Sequence, residues 1–155
     1  MSSKTLHIAG ENELDALAAR LAPHLHAGDV VVLQGDLGAG KTAFSRAFIN
    51  VLSAAPQEVP SPTFTLVQVY DDMEPPVWHF DLYRIEHQDD ILELGWDEAR
   101  RQGISLVEWP ERLGSLLPKD RLEINIRFIK DSENSRQIIL TPYGRWADRF
   151  ERIAF

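Results

Sequence analysis

The feature that most constrains this chain is a glycine-rich octapeptide that matches the pattern G-x-x-x-x-G-K-[ST] at every fixed position. It follows an unbroken apolar run at residues 30–33, which is typical of a strand buried on both faces. It precedes residues 41–54, in which apolar side chains recur at helical spacing. The sequence therefore predicts a central parallel strand, a glycine loop and a helix, in that order. The loop consists of Gly35, Asp36, Leu37, Gly38, Ala39, Gly40, Lys41 and Thr42.

A loop of this kind is suited to bind the phosphate groups of a nucleotide. Glycines let backbone N–H groups turn inward around an anion, and the helix N-terminus adds about half a positive charge. We expect Lys41 to be an exposed loop lysine that reaches the β- and γ-phosphates. The Thr42 hydroxyl is expected to bind the Mg²⁺ that bridges these phosphates. The spacing thus predicts a nucleotide site that uses Mg²⁺.

A magnesium site of this type needs a second acidic group, usually at the end of a neighbouring apolar strand. Two residues qualify: Glu108 ends the apolar run 104–107, and Asp81 ends the run 77–80. Because ligands of open α/β sheets gather at the carboxyl ends of the strands, we expect both carboxylates at a shared metal site. Either one alone has the plain alternative of a solvated carboxylate at a strand end.

Three other features carry weaker signals. Residues 61–65 (SPTFT) lie where switch segments place a hydroxyl near the γ-phosphate, although a plain proline-containing connection explains them equally well. Trp109 is either a core residue or an exposed contact aromatic. His79 is interpreted as an ordinary strand histidine and not as a base.

The charge balance argues against a general nucleic-acid binder, DNA-binding proteins included. The chain has 16 basic and 24 acidic residues, a formal net charge of -8, whereas such proteins present a cationic surface to phosphates. Residues 81–98 carry a net charge of -6, because this segment contains seven acidic residues and a single basic residue, Arg84. The segment is either a solvated helix and loop or a protein-docking surface. Its acidic residues are Asp81, Glu86, Asp89, Asp90, Glu93, Asp97 and Glu98.

Length and composition set the remaining limits. The 155 residues predict one domain, and the absence of cysteine excludes disulfides, thiolate nucleophiles and cysteine-based zinc sites. No uncharged apolar stretch approaches the roughly 18 residues of a membrane span, and the N-terminus lacks the long apolar centre of a secretory signal. We therefore expect a cytoplasmic protein that does not contact a membrane.

Hydrophobic periodicity predicts the other elements, with Pro23 weakening the last turn of the first helix. Strands are predicted at 4–8, 63–70, 77–83, 104–107, 121–128 and 136–140, and helices at 11–26, 91–102 with an interruption at Gly95, and 146–153. Residues 71–76 and 131–134 are read as hairpin turns. The predicted fold class is α/β, a P-loop NTPase-like mixed sheet with a parallel nucleotide-binding core and antiparallel strands, flanked by helices.

The loop alone leaves three function classes open. A guanine-specific GTPase is not indicated, because neither N-K-x-D nor D-x-x-G occurs in the sequence. An ATPase remains. A small-molecule kinase would add an arginine-bearing lid, for which Arg100 and Arg101 are candidates. The third class is a nucleotide-gated binding module in which the nucleotide state sets the affinity for a partner.

Five segments, taken together and in order, resemble the TsaE (YjeE) family, the small bacterial ATPases of tRNA threonylcarbamoyladenosine synthesis. They are the loop 35–42, residues 61–66 (SPTFTL), 79–84 (HFDLYR), 93–95 (ELG) and 107–112 (VEWPER). The resemblance covers nearly the whole chain, and the ensemble is far more specific than the loop alone.

The resemblance implies ATP and Mg²⁺ as ligands and a cytoplasmic complex with the TsaD and TsaB proteins. In that picture TsaD carries the transferase chemistry, and this chain meets tRNA only indirectly, through the complex. ATP hydrolysis would support turnover of the modification at adenosine 37. Because the loop is complete but no arginine finger is evident in the sequence, we expect the isolated chain to hydrolyse ATP slowly.

By position, the resemblance also implies the roles of site residues. Lys41 and the loop amides would bind phosphates, Thr42 and Glu108 would hold Mg²⁺, and Asp81 and Thr63 would act at the γ-phosphate or position water.

The resemblance also bears on Trp109, and the sequence departs from the family pattern at Ala43 and at residues 96–98. Trp109 would lie close to the functional edge. Ala43 stands where the family frequently has a second threonine, from which we expect a small effect on nucleotide contacts. Residues 96–98 (WDE) are less typical of the family, which bears on how partners dock.

Overall fold

The strands of the described residues form one seven-stranded sheet. The computed structural model describes residues 3–36, 38–53, 58–60, 62 and 65–155. Across the sheet the strand order is β1-β7-β6-β2-β5-β4-β3. The strands are β1 Lys4–Ile8, β2 Val30–Gly35, β3 Val67–Tyr70, β4 Val77–Asp81, β5 Ile104–Glu108, β6 Arg121–Phe128 and β7 Arg136–Tyr143.

Helices pack on both faces of this sheet. They are α1 Glu11–Leu21, α2 Lys41–Leu52, α3 Gln88–Glu93, α4 Trp96–Gln102 and α5 Trp146–Glu151, with 3₁₀ segments at Ala22–His24 and Pro110–Leu116. Within the described part of the chain, none of them has the length and apolar character needed to cross a membrane.

Four neighbouring strands, β6, β2, β5 and β4, run parallel and form the centre of the sheet. Residues 30–33 of β2 are fully buried, and their side chains alternate between the two core layers. This burial on both faces explains the unbroken apolar run in the sequence. The register aligns Leu33 with Glu108 and Glu108 with Asp81, so these strands end at a common edge.

The outer strands are antiparallel additions to this centre. β3 pairs with β4, β7 pairs with β6, and β1 pairs with β7. Both predicted hairpins are present, and the predicted fold class is confirmed.

The two core layers separate the glycine loop from the acidic helices. Helices α1, α2 and α5 contribute to one layer, and Phe44 and Phe48 anchor α2 there with fully buried rings. Helices α3 and α4 contribute to the other layer, where Trp96 packs edge-on against Phe80. The loop helix and the acidic helices therefore lie on opposite faces of the sheet.

Several predicted boundaries differ from the observed ones. The helix predicted at 11–26 ends at Leu21 and continues as a 3₁₀ segment, because Pro23 has no N–H for a further α-helical hydrogen bond. The helix predicted at 91–102 is two helices that meet at Gly95, and the first begins at Gln88. The strand predicted at 77–83 ends at Asp81, beyond which the Leu82 N–H donates to Glu108 O.

Other elements match to within a few residues. The helix predicted at 41–54 ends at Leu52, the strand predicted at 63–70 is observed from Val67, β7 extends to Tyr143, and α5 ends at Glu151. Residues 54, 63 and 64 lie outside the described part of the chain.

We predict that Gly95→Ala destabilises the fold by about 2 to 4 kcal/mol in urea unfolding at neutral pH. Gly95 has φ +99°, and an added Cβ would lie 2.8 Å from the Trp78 indole of β4. Gly10→Ala is the matched control, because Gly10 has extended backbone (φ 178°) and no atom within 4 Å of an added Cβ. We expect less than about 1 kcal/mol there. Equal losses of unfolding free energy in the two variants would show that neither the contact with Trp78 nor the positive φ of Gly95 disfavours a side chain there.

Candidate functional site

The glycine loop connects the buried strand β2 to the N-terminus of α2. Its turn is closed by the Ala39 N–H, which donates to Asp36 O at 2.9 Å. Gly40 caps α2 in the left-handed region, with φ 115° and ψ 20°, and its carbonyl accepts the first helical hydrogen bond from the Phe44 N–H at 2.9 Å. A side chain at this position would strain the backbone, which is why the pattern requires glycine here. The helix N-terminus therefore opens directly from the loop.

Lys41 is buried, which corrects the expectation of an exposed loop lysine. Only 5% of the residue is exposed, and its Nζ donates to Gly35 O at 2.7 Å. The ammonium also lies 3.8 Å from the centre of the Trp109 ring. Burial lowers the pKa of Lys41, while the negative charges of the surrounding carboxylates, Glu108 first, act in the opposite direction. The lysine is therefore held by the loop carbonyl and an aromatic face.

Trp109 follows β5 directly and links the site to a surface aromatic residue. Its backbone is left-handed, with φ 60° and ψ 55°, an uncommon conformation for a bulky residue. Its ring lies 4.8 Å from that of Tyr83, measured between centroids. Trp109 is half-buried, so neither of the two alternatives from the sequence describes it fully.

The end of β5 meets the first turn of α2 through Thr42 and Glu108. The Thr42 hydroxyl Oγ1 lies 3.1 Å from Glu108 Oε1 and 3.2 Å from Oε2. Glu108 is 3% exposed and Thr42 is half-buried, so a buried carboxylate and a partly accessible hydroxyl meet beside the loop. The structure thus brings together the two residues that the sequence assigned to the metal.

Two side chains of β4 adjoin Glu108. His79 is completely buried, and its Nε2 lies 2.6 Å from Glu108 Oε2. Asp81 is 4% exposed, and its Oδ1 accepts a hydrogen bond from the Tyr83 N–H at 3.1 Å. The sequence placed Asp81 correctly beside Glu108 but missed the contact of His79. The available signal was the spacing of two between His79 and Asp81, which places both on one face of the strand.

The sequence analysis also missed an arginine that contacts the loop. Arg136, at the start of β7, donates from Nε to Ala39 O at 2.9 Å, and its guanidinium lies 4.6 Å from the Phe128 ring centre. No local pattern could have indicated this contact, since the two residues are 97 positions apart.

Two cavities flank the loop. One of about 380 Å³ lies beside Gly40 and Ala43, and its walls include Leu14, Glu133 and Arg136. The other, about 580 Å³, opens beside Gly35 and Asp36 on the side of Trp109 and Glu111. The loop therefore has space for bound groups on both sides.

Two of the residues predicted for the site lie outside the described part of the chain, and two others lie elsewhere in the fold. Leu37 and Thr63 lie outside that part of the chain. Arg100 and Arg101, the candidates for a kinase lid, belong to α4, which packs on the sheet face opposite to α2.

A family model described as "Threonylcarbamoyl adenosine biosynthesis protein TsaE" matches residues 8–138. The chain belongs to the TsaE family. The Bacillus subtilis relative "tRNA threonylcarbamoyladenosine biosynthesis protein TsaE" is 41% identical over 142 residues, which cover 91% of this chain and 85% of the relative. The relative of the same name from Rickettsia felis is 37% identical over 134 residues, with coverage of 86% and 78%.

The fold is similar to that of a solved structure. The crystal structure of Bacillus subtilis YdiB gives a TM-score of 0.78 at 32% identity, and the match covers 97% of this chain and 93% of that one. The family resemblance inferred from the sequence is therefore confirmed.

Proposed function

We propose that this chain is a P-loop ATPase that acts in the tRNA threonylcarbamoyladenosine pathway, working as one domain in the cytoplasm. The observation that carries the proposal is the contact of the Thr42 hydroxyl with both carboxylate oxygens of Glu108, at 3.1 and 3.2 Å, beside a complete phosphate-loop sequence. Family membership supports the pathway, because the TsaE relatives are named for threonylcarbamoyladenosine biosynthesis.

The proposed role of the loop is to bind the triphosphate of ATP. Residues 35–42 would present backbone N–H groups, and the N-terminus of α2 would add its partial positive charge. Lys41 would exchange Gly35 O and the Trp109 ring for the β- and γ-phosphates. Its position at the first residue of α2 supports this role, because its ammonium already lies next to the loop.

The residues present fit a Mg²⁺ ion by the chemistry of their donor groups. The Thr42 hydroxyl and the Glu108 carboxylate are hard oxygen donors, and Mg²⁺ usually takes one or two protein ligands together with substrate phosphates and water. No group of three or more His, Cys, Asp or Glu side chains forms a metal cage in the described ranges. When bound, Mg²⁺ would neutralise charge on the β- and γ-phosphate oxygens.

Asp81, Glu108 and Thr63 are the proposed catalytic residues. Asp81 lies at the register position next to Glu108, and Oδ1 is held by the Tyr83 N–H, so its carboxylate is oriented by its own chain. We propose that Asp81 and Thr63 position the attacking water at the γ-phosphate. The site has no assigned arginine finger, which agrees with slow hydrolysis until a partner completes the site.

The proposed place for the nucleoside is the cavity of about 380 Å³ beside Gly40 and Ala43. It adjoins the first turn of α2, where the phosphates would bind, and apolar walls such as Ile8 and Leu14 suit a flat base. The small side chain of Ala43 leaves this space open.

The proposed partners are TsaD and TsaB, with tRNA reached only through their complex. The net charge of -8 supports an indirect contact with tRNA, because an acidic surface repels phosphates. We propose no contact with DNA or with a membrane.

We predict that Lys41→Ala weakens ADP binding about tenfold to a hundredfold in calorimetric titrations with Mg²⁺, because a charged hydrogen-bond donor to phosphate is lost. Lys41→Met is a second variant that keeps the buried stem. Lys119→Ala, at an exposed lysine, is the control. Circular dichroism reports whether each variant is folded. Undiminished ADP affinity in folded Lys41 variants would contradict the phosphate assignment.

We also predict that Ala43→Phe weakens binding of ADP but not of pyrophosphate, because the new ring fills the cavity proposed for the nucleoside. Asn125→Phe is the matched control, since Asn125 lines the cavity on the other side of the loop. Competition against a fluorescent ADP analogue measures both ligands. If Asn125→Phe weakens ADP binding and Ala43→Phe does not, the nucleoside binds in the cavity on the side of Trp109.

We predict that ATP hydrolysis by this chain depends on the partner proteins. Phosphate release from ATP should be slow in the isolated chain and rise on addition of TsaD and TsaB, and Glu108→Gln should abolish the rise while ATP still binds. Equal turnover in the Glu108 variant and the parent would move the metal role to Asp81. Transfer of phosphate to an added small molecule would instead support a kinase, and tight binding with no turnover would support a nucleotide gate.

A further inference from the structure

One buried polar residue beside the site has no role in the proposed function. Lys41, Asp81 and Glu108 are buried and are used, whereas His79 is completely buried and is not. A polar ring in a core is costly unless its polar atoms are paired. His79 therefore needs a physical reason for its position in β4.

The ring makes one directed contact. Nε2 lies 2.6 Å from Glu108 Oε2, and the imidazole tautomer with its proton on Nε2 donates a hydrogen bond to this carboxylate oxygen. The other ring nitrogen, Nδ1, is buried and has no hydrogen-bond partner among the described residues. The polarity of the His79 side chain is thus directed at Glu108 alone.

Strand pairing explains why this contact forms. In the parallel register of β4 and β5, His79 lies opposite Leu106, and Asp81 lies opposite Glu108. His79 and Asp81 are two residues apart and share a face of the sheet. The ring consequently reaches forward along β5 to Glu108 from the neighbouring strand.

The contact fixes the orientation of the carboxylate. Glu108 accepts hydrogen bonds from two sides, from the Thr42 hydroxyl at the start of α2 and from His79 in β4. Without the ring, the buried negative charge of Asp81 at the adjacent register position would favour rotation of the Glu108 carboxylate away from it. The His79 donor attaches Oε2 to β4 and leaves Oε1 beside Thr42.

We propose that His79 is a positioning residue that holds the Glu108 carboxylate in the orientation that binds the divalent cation of the nucleotide. This inference rests on the proposed function. It adds His79 as a residue that contacts Glu108 but does not itself bind the cation. Partners behind metal ligands commonly change metal affinity by about 10- to 100-fold when they are removed.

The test is a matched pair of amide variants, His79→Gln and His79→Asn. The Gln amide nitrogen can occupy the place of Nε2, whereas the Asn amide is one bond too short to reach Glu108. Mn²⁺ is the probe, because carboxylate and water ligands suit Mn²⁺ as they suit Mg²⁺. Electron paramagnetic resonance of free Mn²⁺, in the presence of saturating ADP, gives the affinity without any turnover.

We expect His79→Asn to bind Mn²⁺ about 10- to 100-fold more weakly than the parent, and His79→Gln to recover most of that loss. ADP affinity measured in EDTA should be the same in the parent and both variants, because neither variant touches the loop. In a Glu108→Gln background, His79→Asn should add no further loss, since the ionised carboxylate that the ring orients is already gone.

Phe80→Leu controls for general damage to β4, because Phe80 is in the same strand but faces the opposite core layer. It should lower stability and leave Mn²⁺ affinity unchanged. Equal Mn²⁺ affinity in the parent and a folded His79→Asn variant would overturn the positioning role, and so would equal weakening in the Asn and Gln variants. Should His79→Asn not fold, failure of a folded Gln variant to keep Mn²⁺ affinity overturns it. Absence of ADP-linked Mn²⁺ binding in the parent would instead overturn the proposed function itself, and the inference with it.

Discussion

The contact between the first turn of α2 and the end of β5 is the interaction on which the site depends. The buried rings of Phe44 and Phe48 fix α2 against one face of the sheet, and this packing sets where the helix begins. β5 pairs in parallel with β2, so Glu108 emerges at the edge where the glycine loop turns. Thr42 and Glu108 meet because the packing of α2 and the register of β5 place both residues at the same edge of the sheet. A shift of either element by one residue would separate the hydroxyl from the carboxylate.

Buried charges of both signs lie at this edge of the sheet. Asp81 and Glu108 are buried neighbours of like charge, which is unfavourable in a protein interior, and a divalent cation would relieve it. Lys41 is a buried cation whose charge is met by a carbonyl and an aromatic face. Phosphates would offer it a stronger partner. A bound metal-triphosphate would satisfy these buried charges of both signs together.

The sequence predicted the features that depend on local spacing, and it missed those that depend on distant contacts. The loop, the buried strand β2 and the carboxylates at the ends of β4 and β5 follow from runs of a few residues, and the structure has them. The contact of Lys41 with the Trp109 ring was not predictable, because the two residues are remote in sequence. The same holds for His79 and Glu108, 29 positions apart, and for Arg136 and Ala39, 97 positions apart. Side-chain partners of this kind are fixed only when the strand order is known.

The acidic segment 81–98, with a net charge of -6, has a buried part and an exposed part. Asp81 is buried at the site, whereas the other six acidic residues are exposed on and around α3 and α4, on the far face of the sheet from α2. Tyr83 lies between these parts of the segment, is 48% exposed, and packs against Trp109, which holds Lys41. The rings of Tyr83 and Trp109 thus connect the exposed start of this segment to Lys41 of the glycine loop.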